Sequence, residues 1–136
     1  MGLAERRAAK EFETNKFPDL KKAVTAAAGF DVPIEVDWES LAVNDYAHLY
    51  EDAWTKVYFT PLCDAFKNIT VDQMGKDALK GALKKIVIKN RGGHYSAPSC
   101  YEFANGILTV DHEAASNIDN VSERARELQK MLETKL

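Results

Sequence analysis

The clearest alternation of apolar and polar residues in this chain runs from Cys100 to Asp111 and is interrupted only at Asn105-Gly106. Asn-Gly between alternating apolar residues favours a two-residue turn, because both turn positions need positive φ. That turn predicts a β-hairpin pairing Ala104 with Ile107, Phe103 with Leu108, Glu102 with Thr109 and Tyr101 with Val110. Tyr101, Phe103, Leu108 and Val110 then share one face, and Glu102, Ala104, Ile107 and Thr109 the other. One face belongs to a core and the other can meet water.

Two further strands follow from the same period. Ile34, Val36 and Trp38 alternate with Glu35 and Asp37, and Ile86 and Ile88 alternate with Lys85, Val87 and Lys89. Helical spacing governs most of the remainder. Residues 3–14 are strong helix formers, and Pro18 suits the first turn of a second helix that Gly29 stops. Residues 45–68 carry aromatic and aliphatic side chains at helical intervals, with a kink or restart expected at Pro61 under a Thr60 cap. Thr70 to Gln73 reads as a capping box opening a helix with Met74, Ala78, Leu79 and Ala82 inward. Asn120 opens a last helix with a stripe at Val121, Ala125, Leu128 and Leu132. The expected fold is α+β, one domain over residues 1–136. It has two layers, with about four mainly antiparallel strands and helices packed on one face.

Composition changes this picture little. The 136 residues are 46% hydrophobic and 29% charged, ordinary values for a globular protein. A net charge of −3 gives no general attraction to nucleic acid or anionic lipid, so neither is an expected partner. No apolar run approaches the ~20 residues of a membrane helix, and residues 1–7 contain no apolar signal core. A cytoplasmic location is the expectation. Cys63 and Cys100 are thiols in a reducing compartment, and one possible pair is no disulfide framework.

Charge is distributed unevenly along the chain. Residues 31–52 hold seven acids and no Lys or Arg, whereas residues 76–91 hold six bases and the single acid Asp77. Placing the first strand beside the second pairs Glu35 and Asp37 with Lys85 and Lys89.

Candidate chemistry collects at the hairpin end away from the turn. The register sets Cys100 opposite Asp111, and the loop carrying Arg91, Gly92, Gly93 and His94 enters there. Cys100, His94, His112 and Asp111 are therefore the candidate catalytic residues. A thiol, an imidazole base and an orienting carboxylate together make a nucleophile. Two histidines with Asp111 or Glu113 have the donor types of a divalent-metal site, while Gly92-Gly93 can turn backbone N–H groups toward an anion. Each residue also has a plainer role, as a buried thiol, a hydrogen-bonded strand-end histidine or an ordinary loop glycine. His48 and Asp52, spaced i and i+4, read as a surface pair. No CxxC, HEXXH, Walker or Rossmann spacing occurs, so neither a metal nor a cofactor is expected.

The functional expectation is a small non-catalytic protein-binding or accessory domain. Its contact zone would combine Asp37, Glu39, Asp45, Tyr46, Tyr50 and Trp54, since Tyr and Trp offer large apolar area with a polar tip. The same aromatic residues at helical spacing also suit a core. The alternative is an enzyme, or a small-ligand or metal-binding protein, with its Cys/His site at the hairpin end.

Overall fold

A computed structural model describes residues 2–136. Its four strands are β1 (Ile34–Val36), β2 (Lys85–Lys89), β3 (Tyr101–Ala104) and β4 (Ile107–Asp111). The hairpin has the register that its turn dictates: Tyr101 faces Val110, Glu102 Thr109, Phe103 Leu108 and Ala104 Ile107. Asn105 at φ 55° and Gly106 at φ 79° make the tight reversal. The Gly106 carbonyl also accepts from Lys84 N at 2.7 Å and Lys85 N at 3.2 Å, tying the turn to the start of β2.

Sheet direction departs from the expectation. The order is β1-β2-β4-β3, with β1–β2 and β2–β4 parallel and only β3–β4 antiparallel. The sheet is therefore mixed rather than mainly antiparallel. Alternation reports that one face of a strand is solvated, and that condition is commoner in antiparallel sheets without being confined to them. Here Ile86, Ile88, Leu108, Val110 and Phe103 are buried on one face, while Glu35, Val87, Lys89 and Thr109 stand half-buried or exposed on the other.

The helices are α1 (Leu3–Asn15), α2 (Phe17–Ala28), the single-turn α3 (Trp38–Leu41), α4 (Tyr50–Trp54), α5 (Thr60–Ile69), α6 (Gln73–Ala82) and α7 (Val121–Lys135). α5 packs against α7 and α2 through Leu62, Ala65, Phe66, Leu128 and Leu132. Between α4 and α5 the helix widens into a π turn over Thr55–Phe59. That turn lies just ahead of Pro61, whose ring crowds the carbonyl four residues back and whose nitrogen cannot donate. The helix thus passes Pro61 without breaking, and Thr60 lies inside it instead of capping a new one.

Two local expectations change at α6. Asp72, rather than Thr70, is the cap, accepting from Gly75 N at 2.8 Å. Thr70 instead donates to the carbonyls of Ala27 and Phe66. Met74, in the first turn, is 82% exposed rather than inward, while Ala78 and Ala82 are half-buried and Leu79 supplies the helix's buried contact. Gly75 allows the close approach of α5: a β-carbon there would lie 1.7 Å from the Ile69 carbonyl oxygen. Gly75→Ala is expected to destabilise the fold by about 1–3 kcal/mol through overpacking. Urea unfolding should show a lower midpoint at unchanged slope, whereas an unchanged midpoint would mean that α6 is free to move away.

Candidate functional site

Because β1, β2 and β4 are mutually parallel, all three end at the same edge of the sheet. Asp37, Asn90-Arg91 and Asp111–Glu113 emerge there together. Strand carboxyl ends are the usual location of binding crevices in open α/β sheets. Asp37 of the expected contact zone and Asp111 and His112 of the expected reactive corner lie at this edge.

Two carboxylates organise the open side. Asp37 caps α3, accepting from Ser40 N at 3.3 Å, and its Oδ2 receives Arg91 Nε at 2.9 Å. The hydrogen bond from Arg91 holds the Asp37 carboxyl below its usual range. The expected partner of Asp37 was Lys89, but the chain leaves the strand at Asp37 to enter α3, and its carboxylate reaches Arg91. Glu35 does pair with Lys85, at 2.9 Å. Asp111 Oδ1 accepts from the backbone N–H groups of Arg91 and Gly92 at 2.9 and 3.1 Å. A β-carbon on Gly92 would meet His94 Nε2 at 2.6 Å and Asp111 Oδ2 at 3.0 Å, so a side chain there would have to displace the His94 ring.

Alternation separates Asp111 from His112, whereas Cys100, opposite Asp111, is turned inward by the helical backbone that closes the Ala97–Ser99 turn. Asp111 and His94 lie half-buried on the open side, while Cys100 and His112 are buried on the core side. The Cys100 thiol donates to the Ala97 carbonyl, and burial pushes it up to about 12. At neutral pH it is a small protonated hydrophobe without an imidazole partner. His112 is wholly buried, and its Nδ1–H donates to the Glu113 carbonyl at 2.6 Å. Among the described residues, no three His, Cys, Asp or Glu side chains form a group able to hold a metal ion.

Two more residues reach this corner: Tyr58, from the aromatic run of the 45–68 segment, and Arg124, which the sequence did not single out. Tyr58 donates its hydroxyl to the His112 carbonyl at 2.6 Å. Arg124, 1% exposed, donates to the carbonyls of Asn117, Ile118 and Lys56 at 2.7, 2.6 and 3.1 Å. Its readable signal is position: Arg124 falls three residues after Val121 and four before Leu128, on the apolar stripe of the last helix.

The aromatic contact zone requires correction. Tyr50 and Trp54 stack at 4.3 Å inside the core, and Trp54 also meets Phe12 and Trp38. Tyr50 donates to the Val43 carbonyl, and burial pushes its phenol up to about 12. Neither ring presents a docking surface. Tyr46 is 43% exposed, Glu39 and Asp45 are exposed, and Asp37 is half-buried. His48 has no tie to its helical neighbours, since Glu51 pairs with Lys16 and Asp52 with Lys56.

Tyr46, Arg91, Gly93, Glu113 and Ser116 line a cleft of about 430 Å³ at this edge. Asp45 at φ 68°, Gly93 at φ 69° and Asn117 at φ 51° bend the loops around it. Non-glycine residues in that region carry strain of ~1 kcal/mol or more and persist where the surroundings fix them.

Thiol labelling at pH 8 checks the Cys100 assignment. Half-buried Cys63 should react first, and a Cys63→Ser variant should label only when denaturant is added. Rapid labelling of native Cys63→Ser protein would restore Cys100 as a reactive group. No family model matches this chain, and neither a curated protein nor a solved structure matches it.

Proposed function

We propose that this chain is a non-catalytic binding domain that receives a basic segment of a protein partner at the carboxyl-terminal edge of its sheet. The observation that carries this reading is the cleft lined by Tyr46, Arg91 and Glu113, with exposed Asp45 next to Tyr46 in the chain and exposed Glu39 near enough to act on Arg91. Among the described residues neither acid has an ion-pair partner within 4.0 Å, although Asp37 is engaged by Arg91. An exposed Tyr beside unpaired carboxylates offers an apolar platform with directional charge, suited to an Arg- or Lys-containing segment. The left-handed backbone at Asp45 fixes the chain from which Tyr46 projects. The buried, protonated state of Cys100, away from any histidine base, favours binding over nucleophilic catalysis.

A net charge of −3 gives no general attraction to phosphate, which disfavours nucleic acid as the ligand. Among the described residues no helix is long and apolar enough to cross a membrane. Two unpaired cysteines suit the reducing cytoplasm.

The test is quantitative retention of partner proteins by the tagged chain in the cells that make it. Wild type should retain a partner in stoichiometric amount, and Glu39→Lys with Tyr46→Ala should retain about tenfold less, the equivalent of ~1.4 kcal/mol. Both positions are surface-exposed, so the double variant should unfold at the same temperature as wild type. Equal retention by the two proteins, or no retained partner, would end this reading.

A further inference from the structure

Residues 112–120 join β4 to α7 and form one wall of the cleft through Glu113 and Ser116. Two buried ionisable side chains hold this segment. Arg124 binds it from beneath at the carbonyls of Asn117 and Ile118. His112 anchors its start, with Tyr58 fastened to its carbonyl and Glu113 N donating to the His94 carbonyl at 2.7 Å. Asn117 adds an outer tie, donating its side-chain amide to the Tyr95 carbonyl.

The state of His112 is fixed by what it touches. A carbonyl accepts from Nδ1, so Nδ1 carries the ring proton and Nε2 presents a lone pair. That Nε2 is buried without a hydrogen-bond partner, as is Arg124 Nε. The groups facing the ring are cationic Arg124 from α7, His94 from the loop after β2, and Glu113 from its own segment. Tyr58 from the π turn lies against its backbone. A second proton would place a buried imidazolium beside a guanidinium whose hydrogen bonds run to carbonyls, with Glu113 the acid that faces it. Water hydrates that charge far better than this site does.

We propose that His112 is a pH-sensitive latch: protonation at Nε2 releases residues 113–120 from the core and opens the wall of the cleft. The sign follows from burial. Desolvation lowers the affinity of His112 for a proton in the folded state. The unfolded chain and the opened segment therefore bind the proton more readily. Neutral His112 stabilises the closed state above pH ~6.5, and that stabilisation is lost as pH falls below it. This regulation rests on the binding reading for its purpose, whereas the latch itself operates without a partner.

Amide hydrogen exchange over residues 113–120 of the isolated chain tests it. After correction for intrinsic rates, protection should fall about tenfold or more between pH 7.5 and pH 5, while β4 and α5 stay protected. His112→Asn keeps a donor for the Glu113 carbonyl but cannot titrate, and its protection should not depend on pH. His94→Asn should behave as wild type. Ring ¹⁵N spectra of the wild-type protein provide a second measurement: Nε2 should be unprotonated at pH 7.5 and gain its proton together with loop opening. Flat protection in wild type, opening that persists in His112→Asn, or opening abolished by His94→Asn would each overturn the latch. If His112→Asn does not fold, the ring spectra decide, and a His112 that titrates while the loop stays closed overturns it. Partner retention at pH 7.5 tests the binding reading separately, so either idea can fail alone.

Discussion

The docking of the hairpin turn onto the start of β2 sets the geometry of this protein. When the Gly106 carbonyl accepts from Lys84 and Lys85, β4 must run beside β2 in the same direction. Ile86 then faces Leu108 and Ile88 faces Val110, giving the core a continuous apolar floor. The same pairing brings the ends of β1, β2 and β4 to one edge. A β-carbon on Gly106 would lie 2.7 Å from Lys84 Cγ and 3.2 Å from the Ala82 carbonyl, and the residue also has positive φ. Glycine at this position therefore serves both the turn and the joint.

Local chemistry was legible in the chain, and long-range direction was not. Asn105-Gly106 specifies the hairpin to the residue because a two-residue turn admits one register. Ile34, Val36, Ile86 and Ile88 announce which face is inward. They are silent on strand direction, because a parallel strand with one open face shows the same alternation. The connection from Val36 to Lys85 offers no turn that would fix it. The helix at Pro61 was ambiguous for a related reason: a proline disrupts the α pattern, and whether a π turn absorbs the disruption depends on the packing of Trp54 and Tyr58.

The site was legible as a neighbourhood but not as an arrangement. Chain reversal at 105–106 brings Cys100, Asp111 and His112 to one end of the sheet, where His94 also lies. Pleating then sends Asp111 outward and His112 inward, leaving a thiol and an imidazole in the core without a shared proton. Arg124 was invisible to a search for clusters because its partners are backbone carbonyls from Lys56, Asn117 and Ile118. A cation tied to three carbonyls resists replacement by an apolar side chain, since each oxygen would lose its donor in a dry setting.

The lengths of the outermost strands limit how this molecule can associate with others. β1 contributes three residues and β3 four, so either margin exposes only ~10–13 Å of backbone to an incoming chain. A template that short gives little purchase for fibril growth or for extending the sheet across two molecules. Any association of this chain with another molecule therefore relies little on strand addition.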